Sequence, residues 1–477
     1  MRTRLFLILA TLVAFGASLV SSFHFDDYAI FSDPVLTAAD GWRELWSLHQ
    51  TRPLTYLTFW INYQIGGGDA PGYHLINLLL HVGAVLLAFD CLSRLVPGHA
   101  AVLAAAIFAI HPLQAEAVNY VWARSIVLAS LLCFASLREW LQDRPWRAVI
   151  WFLLALLAKE EVAAFPLVLI LLGPVSRAPR RAPLAAMLAL SLAAGVRVIY
   201  ATRVVPGAPA GFQAGITPWD YLLAQGLAIF RYLRLLIVPY GFTVDPDVRV
   251  PAIWLGVLAW LAVLGALAAL FRYAGKDVAK YFAAGLILLI PSSSIFPAAD
   301  LAVDRRMYLP MLAFAAAAGL LLTRVKPLSI VAIVFVALTG LSFARTMVWM
   351  SDEALWTEAV RRSPDKVRPK VQLARSVRAG RALELLSQAR ELAPNDPSVA
   401  AEIGKTLLDE GQPDAALTEF GRALALDPRD ARSYNNRGVA LQQLGQTEAA
   451  RADFRRALEI DPYLNEAREN LRKLPGQ

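Results

Sequence analysis

Apolar runs fill the first three quarters of the chain and then stop. They occupy residues 5–19, 73–96, 100–110, 117–137, 146–158, 162–173, 183–199, 221–238, 252–271, 281–290, 308–322 and 328–343. A membrane-crossing helix needs about 20 apolar residues, so the pattern predicts a polytopic helical membrane domain in which several spans are short. From about residue 364 the pattern becomes charged and apolar positions at helical spacing, which predicts a soluble helical domain. The expected fold class is therefore all-α: a membrane domain over 1–350, with a long first loop at 21–72, followed by a helical domain over 351–477.

Lys and Arg flanking the runs set the orientation, because cytoplasmic loops carry the excess of these residues. Arg2 and Arg4 place the N-terminus inside and the 21–72 loop outside. Arg138, Arg144 and Arg147 mark an inside loop, as do Arg177, Arg180 and Arg181, then Arg272, Lys276 and Lys280, then Arg324 and Lys326. Parity then requires the 221–238 run to begin and end on one side. It carries Arg231 and Arg234 and is bracketed by Pro218 and Pro239, so it reads as an interfacial or re-entrant helix. About eleven spans remain, and an odd number puts the C-terminal domain outside with the first loop. A cleaved leader is the weaker reading of the first run, since no small-x-small site precedes Phe23.

Composition agrees with this division. Of the 477 residues, 57% are hydrophobic and only 18% charged, with mean hydropathy +0.48. An average soluble domain is about 25% charged. The net +8 resides almost wholly in the membrane part. A nucleic-acid reader needs its cations clustered on a soluble face, so no nucleic-acid partner is expected; the membrane lipids are. Cys91 and Cys133 both lie in apolar runs and indicate no disulfide framework.

The C-terminal part repeats. Pro394, Pro428 and Pro462 are spaced by 34, and the same offset relates Gly404 to Gly438, Ala415-Ala416 to Ala449-Ala450, Phe420 to Phe454 and Leu424 to Leu458. A 34-residue period with small residues at the helix contact, then an aromatic, then Pro, is the tetratricopeptide pattern. Full repeats are expected at 395–428 and 429–462, with a degenerate one at 364–394. Such an α-solenoid presents a groove to a protein partner.

Ionisable residues at span ends are functional candidates. Asp26 and Asp27 follow the first span; adjacent carboxylates suit a general base or, with further ligands, a divalent metal. His74, Asn77 and His81 share a helical face. His111-Pro112 leads into Glu116, Tyr120 and Arg124 at i, i+4, i+8. Lys159-Glu160-Glu161 interrupts two short runs, and Asp304-Arg305-Arg306 precedes Tyr308-Leu309-Pro310. By parity all of these fall on the outer face. Carboxylates beside several cations suit a lipid-linked phosphate donor and an acceptor that loses a proton. No Gly-rich phosphate loop and no outer-loop zinc spacing occur.

The succession Phe25-Asp26-Asp27, Arg52-Pro53-Leu54-Thr55, Gly72-Tyr73-His74-Leu75-Ile76-Asn77-Leu78-Leu79-Leu80-His81, His111-Pro112-Leu113-Gln114-Ala115-Glu116-Ala117-Val118, Ala123-Arg124-Ser125, Lys159-Glu160 and Tyr308-Leu309-Pro310 resembles the GT-C-type transferases with C-terminal tetratricopeptide repeats. That group includes the transmembrane tetratricopeptide O-mannosyltransferases and their bacterial relatives. The resemblance covers essentially the whole chain. It implies a GT-C fold, a polyprenyl-phosphate-linked sugar as donor, no required cofactor, and inverting transfer to a hydroxyl of a protein acceptor. By the same resemblance Asp26 and Asp27 supply the base, with Asp27 preferred as the acid at the acceptor. Arg124, Lys159, Arg305 and Arg306 neutralise the leaving phosphate. Arg52, His74, His81, His111, Glu116, Glu160 and Tyr308 line the sugar and acceptor pocket. Where the family reads Arg-Tyr-x-Tyr-Leu-Pro, this chain has Arg306 in place of the first aromatic. Two alternatives stay open: a GT-C transferase acting on a glycolipid or lipopolysaccharide, and a non-enzymatic scaffold recruiting envelope proteins. Length and short connections predict a bacterial inner membrane protein with its site and repeats on the periplasmic side.

Overall fold

The computed structural model describes residues 1–47, 50–173, 180–204, 215–294 and 296–475. Among them every regular element is helical, and the chain falls into two units, Met1–Ser351 and Asp352–Gln477.

Among the described residues of the first unit, six helices are long and apolar enough to cross a membrane: Arg2–Val20, Ala70–Leu95, Val121–Leu141, Arg181–Arg203, Ile253–Ala274 and Leu328–Val348. Their packing differs with position. Val121–Leu141 is 83% buried inside the protein, whereas Arg181–Arg203 is only 11% buried. The outlying helices show Leu192, Val196, Leu258, Leu261, Ile333 and Val336 to their surroundings. Helices that are apolar on the outward face as well as the inward one are solvated by lipid, not water. The first unit is thus a multi-pass membrane domain.

The remaining expected spans are shorter or broken. Gly98–Ile110 and Pro112–Asn119 form one pair bent by 46°, while Pro145–Ala158 and Met311–Leu322 are short apolar helices. The 117–137 run is not one helix. Tyr120 is extended (φ −83°, ψ 117°), and a new helix starts at Arg124. Glu116, Tyr120 and Arg124 therefore do not share a helical face, because the spacing argument assumed a helix that breaks in its middle. The Pro218–Ile237 helix carries too many charges to count among the spans.

Several of the basic residues expected inside meet one another through shared acids. Arg4 and Arg138 both reach Asp90, at 2.6 and 3.7 Å, and Arg138, Arg144 and Arg147 surround Glu139 at 3.7–3.9 Å. Arg180 pairs with Asp143; Arg177 lies outside the described residues. The helix breaks at His111, Tyr120 and Lys159 and the turn before Met311 lie at helix ends remote in sequence from these residues. Irregular backbone inside a membrane protein is tolerated only where protein or a cavity satisfies its polar groups. Each break here carries a candidate site residue.

In the second unit the 34-residue period appears as helix pairs. Pro397–Asp409 packs on Pro413–Leu426, and Ala431–Gln443 on Thr447–Ile460. A Cβ at Gly404 would stand 2.8 Å from the Phe420 ring, and one at Gly438 only 2.7 Å from Phe454. The repeated small residue and aromatic are thus a single packing device, with both Phe rings fully buried. Full burial of a side chain of that size contributes about 1.5–3 kcal/mol.

Candidate functional site

The 21–72 loop begins with an extended strand of backbone that turns into a single helical turn, Phe25–Tyr28. Phe25 sits at φ +42°, a conformation rare for an aromatic residue and costing about 1–3 kcal/mol. Its ring packs edge-on against Tyr120 at 5.4 Å and Trp349 at 6.3 Å, which holds the strained turn in place. The two acids that follow part company. Asp27 is fully buried; Oδ2 accepts the His24 N–H at 2.9 Å and Oδ1 accepts the Trp122 N–H at 2.7 Å. Burial raises its pKa from the ordinary 3.8 to about 7, against the pull of His24 and of these amides. Asp26 is exposed, and its Oδ2 accepts the Tyr120 hydroxyl at 2.9 Å. Asp27, the acid preferred from sequence at the acceptor, thus holds the loop through both oxygens, whereas Asp26 lies at the surface.

Glu116, at the start of the Ala115–Asn119 helix, accepts the main-chain N–H groups of Asp304 and Arg305, at 2.8 and 3.3 Å, through Oε2. Its Oε1 accepts Arg305 Nη1 at 2.5 Å. Asp304 in turn pairs with Arg231 at 2.5 Å. Arg305 keeps 26% of its side chain exposed, and its guanidinium lies 5.7 Å from the Tyr120 ring centre. Glu116 raises the already high pKa of Arg305 further, although burial opposes the charge. Arg305 is thus a fixed, permanently charged donor at the edge of the unit.

A second charged set surrounds the Lys159 break. Arg52, just before the Pro53–Gly66 helix, donates Nε and Nη2 to Glu160 at 3.0 and 2.6 Å. Such a bidentate fork fixes both partners. Burial resists ionisation of Glu160, yet the Arg52 charge and hydrogen bonds outweigh it and hold the pKa down at about 2. Lys159, buried and 3.2 Å from Glu161, has its pKa lowered by burial to about 8, with Glu161 opposing the shift. The charges of Arg52 and Arg305 also act on Lys159, and that of Arg306 on Glu161, so the two sets form one electrostatic neighbourhood.

Arg306 does not reach a carboxylate at hydrogen-bond distance. Nη1 and Nη2 donate to the carbonyls of Leu301 and Asp300, at 3.1 and 2.8 Å. The cation that stands in place of an aromatic therefore ties down the loop that carries Arg305. The Pro218–Ile237 helix holds the same loop: Tyr221 to the Ser292 carbonyl at 2.6 Å, Gln225 to that of Leu301 at 2.9 Å, and Tyr232 to that of Val303 at 3.0 Å. Arg231, which suggested an interfacial helix, faces Asp304.

Five other expected site residues lie in the packed interior. Arg124 is fully buried and donates to Asn77 (2.7 Å), Asn62 (2.9 Å) and the carbonyls of Tyr73 (3.0 Å) and Thr58 (3.3 Å). The rings of Phe59 and Tyr73 lie 4.6 and 5.6 Å from its guanidinium. Neutral oxygens and aromatic faces thus surround the arginine expected at the phosphate. His81 and Tyr308 meet each other at 2.7 Å. His74 stacks on Phe23. His111 caps the turn after it by accepting the Leu113 N–H at 3.2 Å, and its Nε2 meets the Leu236 carbonyl at 3.1 Å. His74, His81, His111 and Tyr308, expected at the sugar and acceptor pocket, are all buried; helix-face spacing does not distinguish a cavity from the core.

Sequence reasoning placed Tyr120 in a helical stripe and Arg231 in an interfacial helix, and gave neither a role at the site. Their signal was present: each is a polar residue one or two turns from a charged group in an apolar run. Among the described residues no three His, Cys, Asp or Glu side chains group as metal ligands.

Comparison with known proteins places this geometry in context. The tetratricopeptide repeat family model matches residues 402–465. Protein O-mannosyl-transferase Tmtc2 of Drosophila melanogaster is 30% identical over 300 residues, 53% of this chain and 31% of that protein. Protein O-mannosyl-transferase TMTC4 of Homo sapiens is 33% identical over 193 residues, 31% of this chain and 26% of its own. Protein O-mannosyl-transferase Tmtc1 of Drosophila melanogaster is 41% identical over 118 residues, 23% of this chain and 14% of its own. The chain thus spans under a third of the length of these relatives. It is similar to O-mannosyl-transferases that its sequence motifs already resembled, and it carries tetratricopeptide repeats.

Proposed function

We propose that the protein is a membrane glycosyltransferase of the O-mannosyltransferase kind. It moves a sugar from a polyprenyl-phosphate donor to an acceptor hydroxyl, most simply Ser or Thr of a protein. The observation that supports this best is the meeting of an exposed carboxylate, Asp26, with a partly exposed guanidinium, Arg305, around Tyr120. Asp26 meets Tyr120 through the hydroxyl and Arg305 meets it through the ring, which leaves the carboxylate and the guanidinium as separate partners for a sugar phosphate.

In the reaction the acceptor oxygen attacks the anomeric carbon, and its proton passes to Asp26. The bond from that carbon to the phosphate oxygen breaks, and the electron pair leaves with polyprenyl phosphate. An inverting displacement requires base and leaving group on opposite sides of the sugar. Phosphate is a fair leaving group, so positioning and charge stabilisation carry most of the rate. Arg305 and Lys159 meet the departing phosphate, while Glu116 and the Arg52–Glu160 fork hold them in place. The repeats hold the protein acceptor. In this reading the site and the repeats face the periplasm of a bacterial inner membrane.

The test is transfer from polyprenyl-phosphate mannose to a Ser/Thr peptide by the purified full chain. Turnover by the wild type, and its loss in Asp26→Asn with unchanged thermal stability, is the expected result. Undiminished turnover in Asp26→Asn would overturn the assignment.

A further inference from the structure

Tyr120 touches both charged groups of the proposed site and belongs to neither. Its hydroxyl donates to Asp26 Oδ2 at 2.9 Å, and its ring centre lies 5.7 Å from the Arg305 guanidinium. The residue is itself held firmly. The ring stacks on Trp349 with centroids 5.9 Å apart and planes at 27°, and Trp349 is fully buried, its carbonyl meeting His24 Nε2 at 2.7 Å. On the main chain, the Tyr120 carbonyl accepts Asn77 Nδ2 at 3.2 Å and its N–H donates to Glu116 at 3.1 Å. Two residues on, the Trp122 N–H binds Asp27. The Asp26-Asp27 turn is therefore tied to the 120–122 segment at two points, one through each acid.

We infer that Tyr120 is the positioning residue of the transfer site, aiming the Asp26 carboxylate at the acceptor and keeping it from pairing with Arg305. The inference rests on the transferase reading above. An exposed carboxylate with a free rotamer close to a guanidinium swings into a charge-assisted ion pair. Such a pair would remove the base and the phosphate-binding cation together. The Tyr120 hydroxyl removes the rotamer freedom, and its ring gives the Arg305 guanidinium a partner of its own.

Three variants of the full chain separate the possibilities, each assayed with polyprenyl-phosphate mannose and a Ser/Thr peptide. Tyr120→Phe keeps the ring and removes the hydroxyl; kcat falls about 10- to 100-fold, the cost of a misplaced group, while the donor KM stays within about twofold. Tyr120→Leu removes the ring as well; kcat falls further and the donor KM rises, because Arg305 is now captured by Asp26. Asp26→Asn in the Tyr120→Leu background returns donor binding, read as the Kd for polyprenyl-phosphate mannose, towards wild type, although transfer stays lost. Wild-type kcat in Tyr120→Phe, or equal changes of kcat and KM in it, overturns the inference even if Asp26→Asn is inactive. Absence of transfer by the wild-type chain overturns the transferase reading instead.

Discussion

Asp27 Oδ1 accepts the main-chain N–H of Trp122 at 2.7 Å, which makes the second of two adjacent acids a structural tie and leaves the first at the surface, held by Tyr120. The pair looks interchangeable in sequence. Its two members differ because one carboxylate is buried under backbone donors and the other reaches the surface beside Tyr120.

Asp27→Asn should therefore harm folding rather than chemistry. Asn offers one acceptor oxygen and an NH₂ where two backbone N–H groups need partners, so about 1–3 kcal/mol is lost. The pH dependence is a further signature. Asp27 holds its proton in the folded state up to about pH 7 but releases it near 3.8 when unfolded, so the folded state binds more protons between those values. Its contribution to stability is complete below about pH 4 and lost as pH rises through about 7. Thermal unfolding of the wild type across that window should show the decline, and Asp27→Asn should flatten it.

Glu160→Gln should destabilise the protein by about 1.5–3 kcal/mol, the worth of hydrogen bonds to a charged group. The fork from Arg52 loses one of its two acceptors and a charge in a site where both side chains are under a third exposed. Arg52→Lys should cost nearly as much, since an ammonium cannot reproduce the fork. Chemical denaturation of the detergent-solubilised chain measures both. No loss in either variant would show that the pair is incidental.

Lys159 gives a pH prediction for activity. Its charge is lost as pH rises through about 8, so the donor KM should climb above pH 8. Lys159→Arg, which keeps its charge, should abolish that climb. Stability moves the other way: the unfolded chain binds more protons above pH 8, so this group's contribution to stability rises towards the ordinary lysine value near 10.5. Donor KM measured from pH 6.5 to 9.5 in wild type and variant decides the matter.

Arg124→Ala should abolish accumulation of folded protein. Removing it leaves Asn62, Asn77 and two carbonyls buried without their donor, and opens a cavity against Phe59. A phosphate-binding arginine would instead give a folded protein with raised donor KM. Expression yield and size-exclusion profile, read before any kinetics, distinguish these outcomes.

The all-helical fold, the division between apolar and charged parts, and the repeat register are legible in the chain because each rests on a one-dimensional period. Apolar runs demand a membrane wherever they occur, and a 34-residue spacing of Gly and Phe demands the same helix contact each time. The polar groups at span ends were legible as a set, since desolvation makes any charge there noteworthy. What the chain alone did not determine was how each polar group is used. Helical breaks at Tyr120 and Lys159 turn residues that share a face on paper in different directions. Arg124 and His81 enter the core, and Glu116, Arg305 and Asp26 converge from segments nearly 300 residues apart. Only the tertiary structure decides that, because a side chain's role depends on which hydrogen-bond partners remain for it once the backbone and its neighbours have taken theirs.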